Sequence, residues 1–336
     1  MASFALCLPV PARERRMTRA PRKSPVKDSE PRMDYRNVID AATWNFIRRT
    51  EAHYPPETAT YSIDRQREIY DRMCREFFQG YPPGVTARDE PIAGVPCRIY
   101  PGAGPATVLY LHGGGWVVGG LESHDDVCAE IRARTGLTVV SADYRLSPEH
   151  LHPAGFDDVC AVACALPGPV VIAGDSAGGN LAAAASHSLR GKARIIGQVL
   201  AYPGLGGDMD AGSYITHAHA PMLTREDLMF YKDIRHGGPA PLDDPTVAPL
   251  RDPDFTGLPL TLAVSAECDP EADDARDYAA KVNAAGGRAH WSNAQGLPHG
   301  YLRARTTVPR AAASFTLMIE TIAAFARGEW PFEEPT

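Results

Sequence analysis

Val170-Val171-Ile172-Ala173-Gly174-Asp175-Ser176-Ala177-Gly178-Gly179-Asn180-Leu181 reads as a strand, a sharp turn and a helix. Gly174 and Gly178 bracket Ser176 in a G-x-S-x-G pattern. Both glycines are needed, because such a turn is strained and its backbone passes close to its neighbours. The turn lifts Ser176 Oγ to the top of a sheet, at the N-terminus of the following helix, where developing negative charge is favoured. The pentapeptide alone recurs in ordinary loops. The apolar strand before it and the Ala-rich helix after it make Ser176 a candidate nucleophile.

Working outward, short β-rich runs alternate with helices from about residue 95. The pattern predicts strands at 97–100, 107–112, 137–142, 169–174, 195–202, 259–265 and 288–293, and helices at 122–135, 155–165, 177–190, 272–285 and 309–326. Near-continuous apolar strands separated by helices predict an α/β fold with a mostly parallel sheet covered on both faces. Two further helices are predicted over 35–52 and 63–79, with no nearby strand to cover. Residues 204–248 interrupt the alternation and hold one helical piece, 224–235. Residues 35–85 and 204–248 are therefore read as the two parts of a helical cap, around a catalytic domain of residues 86–203 and 249–330. Residues 1–34 are rich in Pro, Arg, Lys and Ser and read as a disordered or leader-like tail, with Met17 and Met33 as alternative starts.

A serine hydroxyl needs a base and an oxyanion site to act on a carbonyl. His112-Gly113-Gly114-Gly115-Trp116 follows the strand at 107–112, and its glycine backbone N–H groups can converge on one oxygen. His112 itself is read as structural. After Ser176 the histidines are 187, 217, 219, 236, 290 and 299. His299 is the favoured base, because it hangs in the loop between the last strand and the C-terminal helix. The acid should follow a strand between the two. Asp269 is favoured, with Glu267, Asp273 and Asp274 as rivals, the last two suiting the first turn of the next helix. Trp116, Tyr202 and Met222 are candidates for a pocket wall or for ordinary core.

Bulk properties narrow the classes. The net charge of −7 and the absence of basic clusters in the body argue against nucleic acid as a partner. No apolar run approaches the roughly 18 residues of a membrane span. The seven cysteines, an odd number with no C-x-x-C pair, suit free thiols in a reducing compartment, so a cytoplasmic location is expected. Cys160 and Cys164 read as small core residues. No cluster has zinc-ligand spacing, and neither a metal nor another cofactor is implied.

Several of these segments resemble the hormone-sensitive-lipase-like carboxylesterases of the α/β-hydrolase superfamily. His112–Trp116 matches the H-G-G-G-[FW] loop and Gly174–Asn180 the G-D-S-A-G-G-N elbow. Asp143-Tyr144-Arg145-Leu146-Ser147-Pro148-Glu149-His150 resembles D-Y-R-L-A-P-E-H, Asp269-Pro270 with Asp273 resembles D-P-L-x-D, and Pro298-His299-Gly300-Tyr301 the base loop. The departures are Ser147 for the usual Ala, and Glu271-Ala272 where Leu-Arg is common. The resemblance implies an α/β-hydrolase fold with a helical cap, a Ser176–Asp269–His299 triad, and an oxyanion hole from the N–H groups of Gly114, Gly115 and Ala177, with Gly113 shaping the loop. It implies hydrolysis of short-chain acyl esters without a metal, and a homodimer through the last strand and helix. An amidase or formamidase on the same scaffold stays open, since the same machinery serves either carbonyl. A non-catalytic small-molecule binding protein of this fold is disfavoured by the complete triad, and a long-chain lipase by the lack of an extended apolar lid in 204–248.

Overall fold

Every residue of the strand Val170–Asp175 is buried, as an apolar run without polar alternation requires. In the computed structural model, which describes residues 33–333, this strand is the fifth of eight in one sheet. The strands are β1 (Arg88–Ile92), β2 (Val95–Tyr100), β3 (Thr107–Leu111), β4 (Thr138–Ala142), β5 (Val170–Asp175), β6 (Ile195–Ala201), β7 (Leu260–Cys268) and β8 (Ala289–Pro298). Their order is β1-β2-β4-β3-β5-β6-β7-β8. β2 runs antiparallel to both β1 and β4, and every other neighbouring pair is parallel.

The helices among the described residues are α1 (Ala41–Glu51), α2 (Ile63–Phe77), α3 (Asp125–Thr135), α4 (Ala154–Ala165), α5 (Ala177–Ser188), α6 (Ser213–Thr216), α7 (Arg225–His236), α8 (Ala272–Ala284) and α9 (Pro309–Ala326). Successive strand side chains point to opposite faces, so the sheet builds two apolar layers. Val108, Tyr110, Val171 and Ala173 face α3 and α9. Leu109, Leu111, Val170 and Ile172 face α4, α5 and α8. This is the expected mostly parallel sheet flanked by helices.

Several boundaries differ from the reading of the sequence. β1, Arg-Asp-Glu-Pro-Ile, was not predicted, because it is an edge strand with no buried residue and hence no apolar signal. The helix expected over 35–52 is a 3₁₀ turn, Tyr35–Asn37, followed by α1; the Asp40 side chain accepts the Thr43 N–H and restarts the chain as an α-helix. α6 was missed because four residues carry no periodicity. β7 and β8 run further than expected, to Cys268 and Pro298. The cysteines of α4 correct the reading as core residues: Phe156, Val159, Val162 and Ala163 form its buried face, leaving Cys160 half-buried and Cys164 exposed. The tail expected over 1–34 lies outside the described residues, apart from Met33 and Asp34.

α1 and α2 meet through the rings of Phe46 and Phe77, 5.2 Å apart. They join the apolar layer on the α3 and α9 face. From α2, Arg67 Nε donates to the Val117 carbonyl at 2.9 Å and its guanidinium pairs with Glu149 at 2.7 Å. This helix therefore lies against the loop that follows β3.

The turn after β5 leaves no room for a side chain at either of its bracketing glycines. A Cβ at Gly178 would collide with the Leu111 carbonyl, and one at Gly174 with the Gly178 backbone. Gly168 has φ +75° but nothing within 4 Å of an added Cβ. Gly178→Ala is expected to lower the free energy of unfolding by about 3 kcal/mol, and Gly168→Ala by only about 1 kcal/mol. Urea denaturation of the two variants measures the difference.

Candidate active site

β3, β5, β6, β7 and β8 run parallel, so their C-terminal ends open on one edge of the sheet, where open α/β sheets bind ligands. Ser176 follows β5 with φ 53° and ψ −120°, a conformation that costs on the order of 1–3 kcal/mol for a residue other than glycine. Its backbone is pinned on both sides: Ser176 N donates to the Ala201 carbonyl at 2.9 Å, and Asn180 N to the Ser176 carbonyl at 3.0 Å.

Strand register brings two further candidates together. Cys268 pairs with Pro298 across β7 and β8, so the next residues, Asp269 and His299, leave the sheet side by side. His299 Nδ1 lies 2.6 Å from Asp269 Oδ2, and Nε2 lies 2.8 Å from Ser176 Oγ. Asp269 is wholly buried, and its Oδ1 accepts the Glu271 N–H at 2.9 Å. Burial acts to lower the His299 imidazole, but the Asp269 carboxylate against Nδ1, helped by Glu271 and Asp175, outweighs it and leaves the group above its ordinary value.

Most of the competing residues meet other partners. His187 sits between Asp252 at 2.7 Å and the Tyr278 hydroxyl at 3.0 Å. His217 meets Tyr35, and His290 stacks on Phe332. Among the rival acids, Glu267 accepts the Gly296 N–H, Asp273 the Ser213 N–H, and Asp274 the Leu205 N–H and the Tyr214 hydroxyl.

The loop after β3 faces the turn of Ser176. Gly114 and Gly115 have φ of +134° and +60°, and the ring of Tyr231 from α7 packs on Gly115 so closely that a Cβ there would overlap it. Among the described residues no hydrogen bond engages the N–H groups of Gly114, Gly115 or Ala177. His112 Nδ1 meets the Gly113 carbonyl at 2.9 Å. Trp116, Tyr202 and Met222 also adopt positive φ. Trp116 stacks with the Arg235 guanidinium at 4.1 Å, Tyr202 lies 4.8 Å from the His299 ring, and Met222 reaches Gly300.

Asp175 had no role assigned from the sequence. Its buried carboxylate accepts the Gly113 N–H at 3.0 Å, the Tyr110 hydroxyl at 2.8 Å and the Tyr202 hydroxyl at 3.4 Å, and it faces His124. Burial acts to raise this carboxyl, yet His124, the Arg303 guanidinium and the Tyr110 bond together hold it well below the usual range. Arg303 in turn donates to the Ser123 carbonyl at 2.8 Å and the Tyr70 hydroxyl of α2 at 2.7 Å. These partners lie scattered from residue 70 to residue 303, so no local pattern could have announced the network. For metals, Asp269, Glu271 and His299 form a group whose possible ligand atoms lie within 4.8 Å of one another, but Asp269 and His299 already hold each other there.

With this arrangement in view, comparison with known proteins places the chain. The model of the alpha/beta hydrolase fold family matches residues 108–303, or 196 (303 − 108 + 1) of the 336 residues. The chain belongs to that family, in its hormone-sensitive-lipase-like branch. It is similar to the carboxylesterase NlhH of Mycobacterium tuberculosis, with 37% identity over 61% of this chain and 69% of that protein. An acetyl esterase of Salmonella typhi is 32% identical over 66% of this chain and 75% of its own length. The hyperthermophilic esterase of the archaeon Pyrobaculum calidifontis superposes with a TM-score of 0.75 at 26% identity, covering 86% of this chain and 99% of that one. No helix among the described residues is long and apolar enough to cross a membrane.

The depressed Asp175 carboxyl fixes a pH dependence of stability. Its contribution is fully present above the ordinary carboxylate value of about 3.9 and is lost as pH falls toward its own lower value. Asp175→Asn should therefore lower the melting temperature at pH 7 and flatten its decline between about pH 5 and pH 2. Calorimetry of both proteins over that range checks it; parallel declines would contradict it.

Proposed function

We propose that the chain is a serine carboxylesterase that hydrolyses short-chain acyl esters through Ser176, His299 and Asp269. The observation that carries this reading is the continuous hydrogen-bond chain from Ser176 Oγ through His299 to the buried Asp269 carboxylate, 2.8 Å and 2.6 Å long. Its similarity to a carboxylesterase and an acetyl esterase supports the substrate class.

Ser176 Oγ attacks the ester carbonyl carbon while its proton passes to His299 Nε2. The carbonyl oxygen takes the negative charge and is received by the N–H groups of Gly114, Gly115 and Ala177. Each such donor is worth about 2.7–4 kcal/mol of barrier. Asp269 holds the imidazole with Nε2 toward Ser176 and stabilises the imidazolium. The carbon–oxygen bond to the alcohol then breaks, and His299 returns its proton to the departing oxygen. Water, losing a proton to the same nitrogen, attacks the acyl-enzyme; the bond between the acyl carbon and Ser176 Oγ breaks, His299 returns the proton to Oγ, and the acid leaves.

Residues 35–85 and 204–248 serve as the cap over this edge. The reading is supported by Arg67 of α2 on the loop after β3 and by Tyr231 of α7 on Gly115. Small esters are the only partners that the site requires. A homodimer would form through β8, the last strand of the sheet, which displays Trp291. Six unpaired cysteines among the described residues support a reducing, cytoplasmic setting.

Ser176→Ala is expected to reduce kcat for p-nitrophenyl acetate by at least about 10³-fold with an unchanged circular dichroism spectrum, and to abolish labelling by a fluorophosphonate. Retained turnover would sink the assignment, and faster cleavage of matched aryl amides than of esters would redirect it to an amidase. His299 must be neutral to act as a base and is held above its ordinary value. The acid limb of kcat/KM should therefore have its midpoint above about pH 6.5.

A further inference from the structure

Glu271 stands where the related D-P-L-x-D segment carries an apolar leucine, and the structure buries it beside the reacting groups. Only 3% of its surface is exposed. One of its carboxyl oxygens, one from Asp269 and a ring nitrogen of His299 lie within 4.8 Å of one another. The carboxyl presses on Gly204, where even a Cβ would overlap it. Its backbone N–H is bound to Asp269, yet among the described residues no hydrogen bond reaches its carboxyl oxygens. The charged groups facing it are His299, Asp269, Lys232 of α7 and Asp274 of α8. Burial, reinforced by the neighbouring Asp269, pushes Glu271 up to about 8.

An unpartnered buried carboxyl is destabilising, and leucine would fill such a space without that penalty. What distinguishes the position is the imidazolium that forms on His299 during turnover, because an interaction that strengthens only then lowers the barrier. We propose that Glu271 is a second carboxyl of the Ser176–His299 relay, a positioning residue that shares the His299 imidazolium with Asp269 and sustains turnover when Asp269 is removed. The proposal rests on Ser176 being the nucleophile. It also sets a direction in pH: Glu271 contributes when ionised, so its effect grows toward the alkaline side of the profile.

The test is a set of kcat and KM profiles between pH 5.5 and pH 9.5 on p-nitrophenyl acetate for the wild type, Asp269→Asn, Glu271→Gln and the double variant, with Ser176→Ala as control. Glu271→Gln should lower kcat several-fold on the alkaline side of the profile, leaving KM unmoved. Asp269→Asn should keep a residual kcat that climbs with pH as Glu271 ionises, at a lower pH than in the wild type because Asp269 no longer raises it, and the double variant should lose that climb and fall by roughly a further tenfold. Superimposable profiles of Asp269→Asn and the double variant overturn the proposal. Full activity of Ser176→Ala overturns instead the assignment of the nucleophile. If Asp269→Asn fails to fold, Glu271→Asp and Glu271→Gln decide it alone: the aspartate should keep the alkaline kcat, and equal values in the two overturn the proposal.

Discussion

A single buried carboxylate, that of Asp175, ties the two halves of the site to one another. It sits one residue before Ser176, yet it accepts the N–H of Gly113 in the loop after β3 and hydroxyls from β3 and from the end of β6. A carboxylate deep in the protein is tolerated only when charged and polar partners surround it. His124, Arg303, Tyr110 and Tyr202 meet that need. The same set reaches outward through Tyr70, so α2, the glycine loop and the turn of Ser176 share one electrostatic centre. Without it, the glycine loop would lose the bond that fixes Gly113, and three consecutive glycines are costly to order.

Neighbouring strands in register explain the rest of the geometry. β3 and β5 pair Leu111 with Gly174, which sets the glycine loop opposite the turn. β7 and β8 pair Cys268 with Pro298, which sets Asp269 beside His299. None of these side chains has to search for its partner, because the sheet has already aligned the backbone. Preorganisation of this sort lets backbone dipoles act on developing charge without rearranging.

The inner strands were legible as sequence because each is an apolar run fenced by helices. Their chain order also puts Ser176, Asp269 and His299 at strand ends, and the structure brings the three side chains within hydrogen-bonding distance. β1 was illegible for the opposite reason: four of its five residues are exposed and none is buried. The spacing of Cys160 and Cys164 puts them on one helix face, but spacing alone does not say which face is buried, and here it is that of Phe156, Val159, Val162 and Ala163. Asp175 stood in plain sight inside a recognised motif, but its importance lies in partners as distant as residue 303. Glu271 showed only as a departure from a pattern; its depth and its distance from His299 belong to three dimensions.

The residues with unfavourable backbone angles are not scattered at random. Ala93 aside, the non-glycine residues at positive φ among those described are Trp116, Ser176, Tyr202 and Met222. They sit in the glycine loop, the turn, the end of β6 and the contact with Gly300. Strain of this kind persists only where the surroundings over-determine it, and glycine would relieve it at every one of these positions. Glycine at Trp116 or Tyr202 would also remove a buried ring, a loss of about 3–5 kcal/mol that exceeds the strain, so heat resistance cannot be gained by relaxing these angles one at a time.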